Sequence, residues 1–254
     1  MPGAEDRLAG RVVGLALRPP GSAAPVASTH VLACAGTGLV GDRHADARSP
    51  RQVLLAASAA YGELGLAPLA LRENILVDVD VARLPSGSLL RIGAHAILRL
   101  SFQCEACGAL ERQRLGLARA LGTRRGMLAS VATGGEIRLG DPVRILAQRL
   151  PALAEDWRTR VLQVLAAVPE GMVVDYALLA RLAGIQSSYC RAFPRLLGRP
   201  WPRRQGAAGA NAAPCSEGRD SAAALGWRRL ARCAARRLGA GRLNPGSSLI
   251  RRAC

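Results

Sequence analysis

Near residue 156 the apolar period of this chain changes, so no single repeating architecture can accommodate both halves. Upstream, residues 10–18 (GRVVGLALR) and 92–103 (IGAHAILRLSFQ) are β-branched or alternating, and Gly and Pro punctuate the intervals as they do between strands. Residues 51–55 (RQVLL) read as a further strand, 58–66 as a short helix closed by glycines, and 71–81 as extended chain. Leucines at 110, 115, 117 and 121 predict an amphipathic helix over 110–121, stopped by Gly122. Residues 137–146 (IRLGDPVRIL) read as strand, turn, strand.

Downstream the pattern is helical. Trp157, Val161, Leu162, Val164, Leu165 and Val168 form one stripe before Pro169-Glu170-Gly171 ends it. A second helix is expected from Asp175 or Tyr176 to Ala183, and a third, capped by Ser187 and shortened by Pro194, after it. Two helices joined by a tight turn suggest helix-turn-helix. The expected class is α+β. A β-rich, barrel-like domain covers 1–150, a small helical module of helix-turn-helix or winged-helix type covers 156–198, and a disordered, Arg-rich tail of low complexity covers 199–254.

All 35 basic residues are Arg, which suits a GC-rich coding sequence as well as any selected chemistry. Their distribution is more informative. Residues 1–150 carry a net +6, 151–200 carry +2 and 201–254 carry +9, so the C-terminal part is the one suited to a polyanion such as DNA. No charged-then-apolar leader follows Met1 and no apolar run is long enough for a bilayer, so the expectation is a cytoplasmic protein with no membrane association. Seven cysteines are then reduced thiols, open to catalysis or metal.

Six short pieces occur in order at sensible spacing: Leu39 to Ala45 (LVGDRHA), Arg51-Gln52-Val53, Arg72-Glu73-Asn74, Leu84 to Ile92 (LPSGSLLRI), Cys104-Glu105-Ala106-Cys107 and Gly134 to Val143 (GGEIRLGDPV). Together, over about residues 8–146, they resemble the MOSC domain, the module at the C-terminus of molybdenum cofactor sulfurases and of small stand-alone bacterial proteins. The resemblance implies a cofactor or sulfur site at a cysteine late in the domain, with Cys107 as molybdenum ligand or sulfur carrier and Cys104 as the less suited substitute. A soft thiolate suits both tasks. The resemblance further implies that Arg43, Arg51, Arg72 and Arg125 (or its neighbour Arg124) meet the phosphate of the pterin, while Asp42, His44, Glu73 and Asn74 orient it.

Plainer readings stand beside these. Gly41-Asp42 is ordinary turn chemistry, and Arg72-Glu73-Asn74 reads equally as an ion pair and cap at a strand entrance. Cys34 sits in an apolar stretch as a small hydrophobe. A zinc site finds no second cysteine pair, since His30, His44 and His95 stand alone, so no zinc is expected; a dithiol redox pair at Cys104 and Cys107 is the better rival. The sulfurases of the family use pyridoxal phosphate, but a chain without Lys cannot hold it as a Schiff base, so sulfur would come from a cysteine desulfurase or another cofactor donor as partner.

Residues 157–197, with VLQVLAAVPEGMVVDYALLARLAG and then Arg191, resemble the DNA-binding part of the O6-alkylguanine DNA alkyltransferases and their alkyltransferase-like relatives. That resemblance implies minor-groove contact through Tyr176 and Arg191; the alternative is a half-buried aromatic and a solvated Arg. The acceptor motif Pro-Cys-His-Arg is absent, and Pro214-Cys215-Ser216-Glu217 lacks its His, so methyl transfer is not expected. The combined expectation is a molybdenum-cofactor protein that reduces N-hydroxylated bases or carries sulfur on Cys107. Its rival is a non-enzymatic DNA-damage binding protein acting through the helical module in DNA repair.

Overall fold

A computed structural model describes residues 6–105, 108–169 and 172–197. Contacts divide the chain into two units between Asp156 and Trp157.

In the first unit eleven strands follow in chain order among the described residues: β1 (Arg7–Leu17), β2 (Val26–Ala27), β3 (His30–Cys34), β4 (Gly38–Leu39), β5 (Val53–Ala57), β6 (Ile75–Val77), β7 (Ser88–Ile92), β8 (Ala96–Gln103), β9 (Met127–Thr133), β10 (Gly135–Arg138) and β11 (Pro142–Arg149). The large sheet runs β11-β7-β8-β9-β5-β6-β1, and β1 pairs back onto β11, so seven strands close into a barrel. Closure removes the open edges that would otherwise template pairing with other chains. Every pair in the ring is antiparallel except β5 and β6. That parallel pair needs a crossover, and residues 58–74 supply it, including helix α1 (Ala59–Leu64). A second sheet, β10-β3-β4, stands apart from the ring.

Period-two alternation sorts the side chains. Val53, Leu55, Ile75, Val77, Met127 and Ala129 are buried in the barrel core. Their neighbours in sequence face the other way: Ala56 and the partly buried Leu76 pack with Ala60, Leu71, Leu110, Leu117 and Leu121 beneath the crossover. Leu54 and Leu128 pack with Phe102 and Cys104 in a separate cluster. The barrel wall is therefore apolar on both sides around β5, which explains why all five β5 residues are buried.

Several elements differ from the sequence expectation. The helix expected over 110–121 is two short ones, α2 (Gly108–Glu111) and α3 (Leu117–Leu121). Gly116, at φ 78°, breaks the path, and the Glu111 carboxylate accepts from the Gly116 and Ala118 amides at 2.8 Å each, satisfying the start of α3. Leu115 is consequently 92% exposed rather than on a buried stripe. The strand expected over 71–81 is only Ile75–Val77, because Arg72 has a left-handed φ of 56° and Val81–Arg83 form a 3-10 turn.

The second unit contains α4 (Trp157–Ala166), α5 (Tyr176–Leu182), a 3-10 turn (Ser187–Ala192) and α6 (Phe193–Leu196). Asp175 caps α5 by accepting from the Leu178 amide at 2.7 Å. Phe193, fully buried, sits among Val161, Leu179 and Ala183. Two details depart from expectation: Leu162 is 48% exposed, and the residue before the 3-10 turn is Gln186, with no side-chain cap, so Ser187 is not the cap. No strand, and so no wing, occurs among the described residues of this unit. The tail beyond Leu197 lies outside the described residues.

Gly126, entering β9, has φ 115°, and a Cβ there would lie 2.2 Å from the Leu55 carbonyl oxygen, a backbone atom that cannot yield. Gly126→Ala is expected to lower unfolding stability by about 2–4 kcal/mol, seen as a reduced midpoint in urea; an unchanged midpoint would show that β9 can separate from β5 at this point without cost.

Candidate functional site

Where β1 ends and β6 begins, three segments distant in sequence are tied by buried polar side chains. Asn74, 3% exposed, accepts from the Leu54 amide at 3.0 Å through Oδ1. Its amide nitrogen donates to the Ala16 carbonyl at 3.2 Å and to Asp42 at 2.7 Å. Asp42, 4% exposed, also accepts from the backbone amides of Arg18 at 2.9 Å and His44 at 2.8 Å. The loop after β4 is thus anchored to both strands, and Arg43 and His44 are set at its exposed tip. Gly41, at φ 81°, makes the turn that places Asp42.

Arg72 follows the same logic from the crossover. Tyr61 of α1 has its hydroxyl 2.7 Å from both carboxylate oxygens of Glu73 and accepts from the Leu71 amide at 3.2 Å. Arg125, 5% exposed, donates to the Leu71 carbonyl, and Arg18 donates to the Arg72 carbonyl at 3.2 Å. Arg124, by contrast, turns outward to an ion pair with Glu63. Arg51 is half-buried, its amide donating to the Ser49 hydroxyl at 3.1 Å.

The electrostatics are those of crowded cations. The Arg18 guanidinium is pushed below its ordinary value first by burial and then by Arg72, with Arg43 and Arg125 adding to the effect and Asp42 opposing it. His44 is pushed down by partial desolvation, then by Arg18, with Arg43 and Arg51 in the same direction and Asp42 again opposing. Burial and the Glu73 hydrogen bond push Tyr61 well above its usual range, so it remains a neutral donor. Five arginines against two buried carboxylates, Asp42 and Glu73, leave the neighbourhood net positive. Arrangements of this kind receive anions.

Cys104 is buried, packed with Leu54, Phe102 and Leu128, and its amide donates to the Gly126 carbonyl at 2.9 Å. Leu54 links this cluster to Asn74, and Gln103 at the end of β8 pairs with Met127 at the start of β9. Cys107 itself lies outside the described residues. Among the described residues no three His, Cys, Asp or Glu side chains are grouped so as to hold a metal ion. Cys34 is half-buried on β3.

In the second unit Tyr176, partly buried, packs edge-on to Phe193 with ring centroids 5.3 Å apart, and Arg191 is exposed on the 3-10 turn. They belong to a unit separate from the arginine cluster.

Sequence reasoning assembled Asp42, Arg43, His44, Arg51, Arg72, Glu73, Asn74 and Arg125, and all fall in this neighbourhood. It missed Arg18 and Tyr61. Arg18 carried a signal, a lone cation where Pro19-Pro20 forces β1 to end; Tyr61 carried none beyond a polar tip on an otherwise apolar helix face.

The MOSC domain family model matches residues 44–144, from the loop after β4 into β11. Over this stretch the chain is similar to a MOSC domain. Similar solved structures include the YuaD protein of Bacillus subtilis, at 18% identity and TM-score 0.48, covering 56% of this chain and 98% of that one. YiiM of Escherichia coli is 20% identical with TM-score 0.46, covering 76% and 95%. YiiM of Geobacillus stearothermophilus is 15% identical with TM-score 0.43, covering 76% and 99%. Among curated proteins none matches the chain. No described helix is long and apolar enough to cross a membrane.

Asn74→Leu removes three hydrogen bonds and leaves the Asp42 carboxylate without its side-chain donor, so a stability loss of about 3–5 kcal/mol is expected in chemical denaturation. A loss below about 1 kcal/mol would mean the three segments are held by packing alone. His44 gives a second expectation. A folded-state value below the ordinary 6.5 means that the folded protein binds fewer protons than the unfolded chain. Its contribution is complete above that ordinary value and is lost as the pH falls through 6.5 towards the folded value. Denaturation midpoints of wild type and His44→Gln should therefore diverge above that window and converge below it.

Proposed function

We propose that the first unit binds the molybdenum cofactor, with the cluster of Arg18, Arg43, Arg51, Arg72 and Arg125 receiving the phosphate of the pterin and Cys107 supplying the thiolate. The observation that carries this reading is a pair of guanidinium nitrogens. Nε of Arg18 and Nε of Arg125 are buried with no hydrogen-bond partner, and burial together with Arg72, Arg43 and Arg125 already disfavours the Arg18 charge. Unsatisfied buried donors of like charge are costly, and a phosphate offers acceptors and opposite charge together. The residues present therefore fit the anionic end of the group, and the MOSC match over 44–144 supports the same assignment.

Each residue has a task of its own. Arg72 and Arg18 each spend one terminal nitrogen on a backbone carbonyl, of Ala23 and Arg72 respectively, and would turn their remaining donors to the anion, while Arg43 and Arg51 add charge at the exposed edge. Asp42 and Asn74 hold the loop and strand at fixed separation, so the cationic wall does not relax when empty of ligand. Glu73, paired with Tyr61, supplies the buried negative charge near Arg125. When bound, the cofactor supplies two-electron redox chemistry at a soft metal centre, which suits reduction of N-hydroxylated bases; sulfur carriage on Cys107, loaded by a cysteine desulfurase or cofactor donor, is the second chemistry open to the same thiol.

Protein purified from a host that makes the cofactor is expected to hold molybdenum and pterin near stoichiometry. Cys107→Ser should lose molybdenum, whereas Arg72→Ala should keep the thiol and carry pterin in a smaller fraction of molecules. Metal analysis and pterin fluorescence read both quantities; wild-type protein free of molybdenum and pterin overturns the proposal.

A further inference from the structure

Resting on the anion-site reading above, one arginine of that site stands out by its backbone geometry. Arg72 has φ 56°, the left-handed region that costs a residue with a side chain of this size about 1 kcal/mol or more. Such a conformation persists only where its surroundings over-determine it. Here the fastening is visible on both sides. The Arg72 amide donates to the Leu69 carbonyl at 2.9 Å, with Leu69 also left-handed at φ 61°. On the N-terminal side the Leu71 amide donates to the Tyr61 hydroxyl at 3.2 Å. On the C-terminal side the same hydroxyl, 2.7 Å from both Glu73 oxygens, shares its proton with that buried carboxylate. One oxygen atom therefore grips the residues before and after Arg72.

We propose that Tyr61 is the positioning residue of the anion site, its hydroxyl clamping Leu71 and Glu73 so that Arg72 is held left-handed and presents its guanidinium beside Arg18. Tyr61 touches no ligand in this scheme and acts only through Arg72. The clamp also orients the Arg72 carbonyl, which accepts from Arg18 at 3.2 Å, so two of the arginines depend on it. Phe at position 61 keeps the ring's packing with the apolar cluster beneath the crossover and removes only the grip. The backbone at Arg72 is then free to relax, and both guanidinium groups lose their fixed separation.

The test uses the full chain and inorganic phosphate as probe, followed through the ring resonances of His44, which are assigned with His44→Gln among the three histidines. An anion bound among the arginines raises the His44 titration, so the shift reports occupancy. Tyr61→Phe is expected to weaken phosphate binding by about tenfold. A merely structural role would lower affinity equally in any background, so the deciding readout is coupling. In an Arg72→Ala background Tyr61→Phe should change affinity by less than about twofold, whereas in an Arg43→Ala background it should keep its full effect. Equal effects in both backgrounds, or wild-type affinity in Tyr61→Phe, overturn the role of Tyr61 and leave the anion site standing. A wild type whose His44 resonances ignore phosphate overturns the site and this inference together. Should Tyr61→Phe fail to fold, the wild type decides: the Leu71 and Arg72 amide resonances must move with the His44 signal as phosphate is added, and their indifference overturns the clamp.

Discussion

The side chain of Asn74 is the interaction on which the rest of the first unit depends. An amide has an acceptor and two donors, and here each finds a partner on a different segment: the Leu54 amide in β5, the Ala16 carbonyl in β1 and the Asp42 carboxylate in the loop after β4. No apolar residue could join three segments in this manner, and no charged one could do so without leaving a partner mismatched. Burial makes the arrangement all-or-none, because each group that loses its partner pays a desolvation penalty in full. The backbone adds its own fastening, with the Asn74 amide donating to the Leu54 carbonyl at 2.9 Å and its carbonyl accepting from Ala16 at 2.8 Å. Asp42 extends the hub outward, and its two further amide bonds fix where Arg18 and His44 leave the barrel.

A rigid frame permits something that a flexible one would not, namely cations held close without release. Long arginine side chains ordinarily move apart or into solvent when they repel. Arg18 is held by its contact to the Arg72 carbonyl and Arg125 by its contact to Leu71, so burial and the neighbouring cations lower the proton affinity of Arg18 instead of driving it into solvent. Under the proposed function, the crowding around Arg18 is what a bound phosphate would relieve. Preorganised charge of this kind needs little rearrangement at the moment of binding, which is where much of its affinity comes from.

Parts of this were legible from residue order alone. Alternation along GRVVGLALR and AILRLSFQ gave β1 and β8 because a barrel wall demands a period of two. The tripeptide Arg72-Glu73-Asn74 and the turn Gly41 to His44 stood out as separate pieces of the MOSC resemblance, but nothing in residue order shows that Asn74 donates to Asp42. The helix over 110–121 was misread because spacing alone cannot see that Glu111 caps a second helix from within, nor that Gly116 takes a left-handed turn. Arg72's conformation was hidden for a related reason. A left-handed arginine is disfavoured locally, and only the tertiary contacts of Tyr61, Arg18 and Arg125 make it the stable choice.

The position of Cys104 shows how the same barrel serves two needs at once. Its burial beside Leu54 and Leu128 makes it a packing residue, and its amide bond to the Gly126 carbonyl closes the ladder between β8 and β9. Gln103 pairs with Met127 at the same end of the ladder, and Leu54 joins this cluster to Asn74. This couples β5 to its neighbours: loosening Asn74 frees the Leu54 amide, and with it the strand that packs against Phe102, Cys104 and Leu128. Gly126 enforces the coupling from the other side, since its close approach to Leu55 leaves β9 no freedom to slide relative to β5.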